Sequence, residues 1–387
     1  MIKKVIFLME NRFNLRDYQR FGIDILKQNS FSVEVWDLSF VLHPKIFNAD
    51  ISPDVFDHDG LILFKEMAEA QRKFLTLSNS DFVINLTGYN FLNLKIYRAL
   101  SRSCSKYAIF YTNLPEPIIK RAGLVLLLHN FRKLVNFRHL DWWRQLFMKL
   151  PFKLLGARAA SLALAAGEKS LNYNYPVDKN TEILYIHTLD YDLYLKEKDN
   201  PCAEKPIAVF LDEFLPLHSE FEMMGEKIPI NADKYYPLLN KFFDVIEEKT
   251  GLKVVIAAHP RSTYERLPDY FNGRTCVRGK TIELIKECKL VINHCTTAIS
   301  FANLFYKPAM FVTCAALDNT YQDYWTREMA KWFGKKVVFM DRPHDIDFKK
   351  ELSVDKDSYE VYKRAFIKAD NTEDLPFWQV VANSLKK

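Results

Sequence analysis

The chain has 387 residues, 49% of them apolar, 26% charged and 14% aromatic, with a formal net charge of +6. Hydrophobic cores stop growing at about 250–300 residues, so two domains are expected. The apolar-to-charged balance excludes a disordered chain, and the scarcity of glycine (11) excludes collagen-like and low-complexity ones.

Charge is concentrated. Between residues 118 and 158, nine cations (Lys120, Arg121, Arg132, Lys133, Arg138, Arg144, Lys149, Lys153, Arg158) stand against Asp141 alone. This local excess is larger than that of the whole chain, so the remainder is slightly acidic. The six cysteines, at 104, 202, 276, 288, 295 and 314, have neither CxxC nor zinc-site spacing. Four lie in or beside apolar runs, which predicts buried, reduced thiols in a reducing cytosol. The run VIFLM (5–9) is too short for a signal-peptide core, and no uncharged apolar window of about 18 residues occurs. A cytoplasmic protein is expected.

In chain order, IKKVIFLM (2–9) reads as a buried strand, ENRFN as a loop and 16–29 as one helix. SVEVWDL (32–38) alternates as a second strand, and 60–64, 82–86 and 107–112 are further short strands. Helical patterns fill 66–78 and 91–102. Strand alternating with helix predicts a parallel, doubly wound α/β sheet. Residues 118–165 are basic and helix-like, 162–168 read as a strand leading into a helix, and 182–195 closes the first half. The polar, aperiodic KEKDNPCAEKP (196–206) is the expected linker. Strands then restart at 207–213, 253–261, 289–298, 307–313 and 335–341, with helices at 235–251, 281–288 and 299–305 and a final helix in LPFWQVVANSLKK. The expected division is 1–195, 196–206, 207–370 and a C-terminal helix in 371–387: two Rossmann-like domains facing a cleft.

Ligands of open α/β sheets bind outside the carboxyl ends of the strands. Four such ends are polar here. Asp212-Glu213 follows IAVFL; either carboxylate could take a proton from a hydroxyl or face a cationic transition state, or merely cap the next loop. His259-Pro260-Arg261 follows KVVIAA; His and Arg suit a phosphate or carboxylate, and His could also give a proton to a leaving phosphate. The plainer reading is a histidine buried under its loop. His294-Cys295-Thr296-Thr297 follows KLVIN and opens the helix containing Ser300; hydroxyls and free N–H groups there would seat a phosphate, or simply cap the helix. Glu10-Asn11-Arg12 follows the first strand, which makes Glu10 a second base candidate.

Other signals are weaker. Asp190-Tyr191-Asp192 and Asp345-Ile346-Asp347 match the sparse D-x-D pattern, and no metal site is expected from them. GxGxxG, GxxxxGK[ST] and GxSxG are absent. The basic stretch 118–158 interleaves cations with Leu, Phe, Trp142 and Trp143. That pattern fits an anionic membrane surface better than nucleic acid, with a helix packed on its own domain as the alternative.

The order strand-Asp-Glu, strand-His-Pro, strand-(Ser/Thr)-(Ser/Thr)-helix resembles the GT-B glycosyltransferases of bacterial surface polysaccharides (capsule, lipopolysaccharide) that use CMP-activated ulosonic acids, the sialyl- and Kdo-transferases. The resemblance covers mainly residues 182–315. It implies that Asp212 or Glu213 belongs to the acidic motif, that His259 contacts the nucleotide phosphate and that Thr296 and Thr297 hold it, with Arg261, His294 and Ser300 nearby. Two departures stand out: Phe214 replaces the glycine after the acidic pair, and the hydroxyl pair is Thr-Thr. The expected function is metal-independent transfer from a nucleotide sugar, with a CMP-sugar as the donor, to a glycan or lipid-linked acceptor. Asp212, Glu213 or Glu10 would be the base, and the enzyme would lie at the inner face of the cytoplasmic membrane. The alternatives are a nucleotide-sugar 2-epimerase, a pyruvyl transferase or a glycan-binding protein.

Overall fold

A computed structural model describes residues 1–49, 56–111, 147–171, 175–218, 221 and 228–387. The 118–146 part of the basic stretch therefore lies outside the described residues.

The first sheet has seven strands: β1 (Lys4–Met9), β2 (Ser32–Asp37), β3 (Leu61–Leu63), β4 (Asp81–Asn85), β5 (Lys106–Tyr111), β6 (Leu162–Ala165) and β7 (Glu182–Tyr185). They run in the order β3-β2-β1-β4-β5-β6-β7, every pair parallel. The second has six: β8 (Ile207–Leu211), β9 (Lys253–Ala258), β10 (Cys276–Arg278), β11 (Leu290–Asn293), β12 (Ala309–Thr313) and β13 (Val338–Phe339). Their order is β10-β9-β8-β11-β12-β13, again parallel throughout. Parallel pairing requires crossover connections, so helices cover both faces and the central strands lose their alternation. Val5 to Leu8 and Ala208 to Phe210 are accordingly sealed from water on both sides.

In each lobe the strand order reverses once, between β1 and β4 and between β8 and β11. A crevice opens at such a switch point, because the connections leave it in opposite directions. The chain segments that follow these four strands are thereby brought to the mouth of the gap between the lobes.

Three local expectations give way to packing. The helix expected over 16–29 is two short ones, Leu15–Arg20 and Ile23–Gln28. Gly22 separates them at φ 52°, and a Cβ there would meet Trp378 Cδ1 at 2.5 Å. The helix expected after β6 does not form. Gly167 lies against the Ala365 backbone, where a Cβ would come within 2.3 Å, and the turn bonds across the lobes from Lys169 N to Ala365 O (2.8 Å). The cysteines are mostly not buried: Cys288 and Cys314 are, whereas Cys104, Cys202 and Cys276 are exposed.

The final helix, Phe377–Lys386, lies on the first sheet and not on the second. Its Phe377, Trp378, Val381 and Ala382 pack with Val5, Phe7, Leu26 and Ile84. The chain thus passes between the lobes twice, once between Leu189, which packs on the first sheet, and Tyr191, which packs in the second lobe's core, and once after Ile367. At the second passage His187 bridges to Lys368, and its two ring nitrogens contact Thr188 O (3.0 Å) and Leu375 O (2.8 Å). No described helix is long and apolar enough to cross a membrane.

Candidate functional site

Between the lobes lies a cleft of about 1340 Å³ whose walls come from both. The second lobe supplies Asp212, His218, His259, Arg261, Thr296 and Thr297; the first supplies Glu10, Arg16, Arg20, His43, Asn90 and Lys95.

Asp212 leaves β8 at the floor of the cleft and is 4% exposed. Its Oδ1 accepts from Phe214 N (3.0 Å) and Tyr264 OH (3.1 Å), and its Oδ2 from His259 N (3.2 Å). Burial pushes its pKa up to about 6 against the pull of these donors. The carboxylate therefore ties its own loop to the His259 loop. Phe214, in the glycine position of the motif, adopts φ 55°, and its ring packs edge-on against Tyr264 at 5.1 Å. Glu213 does not line the cleft. Its Oε1 accepts from Cys295 N and its Oε2 from Cys295 Sγ (3.0 Å), clasping the end of β8 to that of β11.

His259 Nδ1 accepts from Arg261 N (3.2 Å). The neutral ring must then carry its proton on Nε2. Burial first, then repulsion from His218, Arg261 and Arg16, lowers its pKa to about 3. At neutral pH it is an uncharged N–H donor beside the exposed Arg261 guanidinium, not the proton-giving imidazolium expected from the motif.

The third strand end differs from expectation. His294 is 1% exposed, holds Val312 O through Nδ1 (2.6 Å) and does not face the cleft. Burial lowers its pKa to about 4. Thr296 and Thr297 do line the cleft, but the following helix, Ile299–Leu304, has only six residues and brings little dipole. Ser300 is buried, and its hydroxyl lies between Thr297 O (2.8 Å) and Asp190 Oδ2 (3.0 Å). It steadies an acid of the cleft wall and does not itself face the gap.

On the first lobe Glu10 Oε1 contacts His43 Nε2 (3.0 Å), while Oε2 accepts from Gly88 N (3.0 Å) and Asn93 Nδ2 (2.9 Å). The structure adds Arg16, Arg20, His43 and His218, which the sequence pattern did not single out, and Asp190, which it set aside. Arg16 and Arg20 were legible as the first helix after β1, which had to start near the cleft. Asp190 belongs to a discounted D-x-D pair, whose second acid, Asp192, accepts from Phe377 N (2.8 Å). Nothing in the local sequence marks His43 or His218.

No protein-family model matches the sequence, and no curated protein does. Solved structures do match in fold. MurG from Acinetobacter baumannii superposes with a TM-score of 0.50 at 11% identity, over 99% of each chain. A UDP-N-acetylglucosamine 2-epimerase from Rickettsia bellii gives 0.50 at 10% identity, over 100% of this chain and 98% of that one. Two parallel Rossmann-like sheets facing a cleft are the GT-B fold. At such identities the likeness is one of fold and carries no residue roles.

Proposed function

We propose that this protein is a glycosyltransferase that moves a sugar from a nucleotide donor, held by the second lobe, to a hydroxyl of a glycan or lipid-linked acceptor held by the first. The two lobes act as separate domains. The observation carrying this reading is one cleft with two chemically different walls. The second-lobe wall offers the His259 Nε2–H, Arg261 and two threonine hydroxyls. Opposite them stands the Glu10–His43 pair. In the reaction the acceptor oxygen bonds to the anomeric carbon as the sugar–phosphate C–O bond breaks. The phosphate leaves with the bonding electrons, and the neutral donors and Arg261 meet its charge. The acceptor proton passes to Glu10 or to His43 backed by Glu10. Asp212 and Glu213 are the less suited bases, because Asp212 is buried and Glu213 does not line the cleft.

The strand-end motifs favour a CMP-ulosonic acid as donor. Thermal denaturation with CMP, UDP, GDP and phosphoenolpyruvate is the test. A true ligand at about 100 times its Kd should add about 2.7 kcal/mol and raise Tm visibly. Stabilisation by a nucleotide supports the reading; stabilisation by phosphoenolpyruvate alone turns it toward pyruvyl transfer, and no shift with any of the four defeats it.

A second reading, 2-epimerisation of a nucleotide sugar, draws on the fold shared with the Rickettsia enzyme and needs no acceptor. Against it stands the cleft rim on the first lobe. Phe91 and Leu92 line the cleft while 44% and 45% exposed, and Phe91 meets the exposed Phe147 edge-on at 5.8 Å. Leu150 and Leu154 are also exposed, beside Lys149 and Lys153. An apolar rim with flanking cations suits a lipid-linked acceptor at an anionic bilayer. Flotation with vesicles containing anionic lipid should carry the protein upward at low salt and release it at high salt. Absence from the lipid fraction at low salt would remove the membrane role.

A further inference from the structure

Asp212 is surrounded by donors: Phe214 N and Tyr264 OH give to its Oδ1, and His259 N gives to its Oδ2. Backbone N–H groups can only donate, so among these partners the Tyr264 hydroxyl alone can turn round and accept. Its oxygen lies 3.0 Å from that of Tyr236, on the helix Ala232–Thr250. When Asp212 is charged the bonding has one direction: Tyr264 donates to the carboxylate, and Tyr236 donates to Tyr264. A protonated Asp212 giving its hydrogen to Tyr264 reverses both bonds. The Tyr236 hydrogen is then left without an acceptor among the described residues, in a side chain only 2% exposed. The rings hold the chain in place. Tyr264 meets Phe214 at 5.1 Å and Phe271 at 4.9 Å, and Tyr236 stacks on Tyr270 at 4.1 Å.

We propose that Tyr264 and Tyr236 are positioning residues for the transfer: their hydroxyls form a one-way donor chain that keeps Asp212 charged, and charged Asp212 holds the His259 loop where its Nε2–H meets the leaving phosphate. The inference rests on the nucleotide-sugar reading above. Burial drives the Asp212 carboxyl toward its neutral form and the donors drive it back, with the pKa settling at about 6. One hydroxyl is enough to tip such a balance. Around that pH several neighbours keep a single state. Burial leaves His259 neutral down to about pH 3, raises the Cys276 thiol on β10 to about 11, and raises the phenols of Tyr235, Tyr236 and Tyr264. Glu213, on the same loop, is taken up by Cys295, and His218 lies against the His259 ring at 4.8 Å. A hydrogen bond to an ionised acceptor is about twice as strong as one to a neutral acceptor, so protonation of Asp212 slackens its hold on His259 N.

The test is the pH profile of turnover by the full chain on an accepted nucleotide sugar, with thermal denaturation of the ligand-free protein over the same range. Losing one hydrogen bond to a charged group should raise the Asp212 pKa by about one unit. Tyr264→Phe should then cost roughly fivefold in turnover near pH 6 and less than about twofold near pH 8, a deficit that alkali repairs. Tyr236→Phe should act in the same sense and more weakly. Asp212→Asn, which carries no charge at any pH, should remove the acid limb and turn over slowly throughout. Both phenylalanine variants keep the ring packing, so their circular dichroism should match the wild type. Without ligand, Tyr264→Phe should lower Tm more at about pH 8 than at about pH 5, because the lost hydroxyl served the charged form. A turnover deficit that is equal at every pH, or a Tm loss that does not grow with pH, overturns the inference and leaves nucleotide-sugar transfer standing. A Tm loss that grows with pH, in a protein that binds none of CMP, UDP and GDP and turns over no nucleotide sugar, does the reverse. The donor chain then stands, while the transferase reading falls and takes the positioning role with it.

Discussion

Replacing His259 by alanine should lower turnover on an accepted nucleotide sugar by roughly 100- to 1000-fold, the usual loss for one preorganised donor to a developing anion. The ring is fixed at three points. Arg261 N donates to Nδ1, Asp212 holds the backbone N–H, and the His218 ring lies 4.8 Å away. Its Nε2–H therefore meets the leaving phosphate without reorienting. His259→Asn, which keeps an N–H donor, should retain more activity than alanine. The stability profile gives an independent readout. A histidine whose folded pKa is held near 3, below the ordinary 6.5, leaves folding unpenalised above pH 6.5. Stability then falls as pH drops from 6.5 toward 3, because only the unfolded chain takes up the proton. His259→Ala should flatten that acid limb. Turnover at the wild-type level would exclude His259 from the chemistry.

The second large effect is expected at Trp378→Ala, a loss of about 3–5 kcal/mol and a Tm lowered on the order of 10 °C. Trp378 is fully buried, with rings of Phe7 at 5.0 Å, Phe377 at 4.9 Å and Phe21 at 6.3 Å around it. Its Nε1 donates to Arg20 O at 2.9 Å, closing the end of the helix that carries Arg16. Alanine leaves a cavity and an unpaired carbonyl beneath that helix, so anion affinity should fall along with stability. Differential scanning calorimetry is the measurement. A Tm change under about 2 °C would mean that the final helix contributes little to the first lobe.

The two sheets were legible because a strand buried on both faces must be apolar along its length, and IAVFL and VIFLM are. What could not be read is which partner an apolar face meets. The pattern of the last helix is equally compatible with either sheet, and only the return of the chain puts Trp378 beneath Gly22. His259 and His294 look alike in sequence, since each follows an apolar strand. Side chains alternate along a strand, and His294 continues the face of Leu290 and Ile292, where the rings of Phe210 and Tyr235 pack beside it. Phe214 teaches the converse. A phenylalanine stands where the resembled motif has glycine, and the backbone takes a left-handed turn there all the same. That turn costs about 1–2 kcal/mol for a residue with a Cβ, and burial of the ring against Tyr264 offsets it.

The double passage of the chain constrains how the gap can widen. A body held by one strand of polypeptide can twist and slide; one pinned at two points can only swing about the line joining them. Sliding would have to pull His187 away from Leu375 and Thr188 from Ile367, hydrogen bonds that are largely buried. The mouth can therefore gape or shut with little slip along the hinge line, so a substrate entering the open form meets both walls already in register.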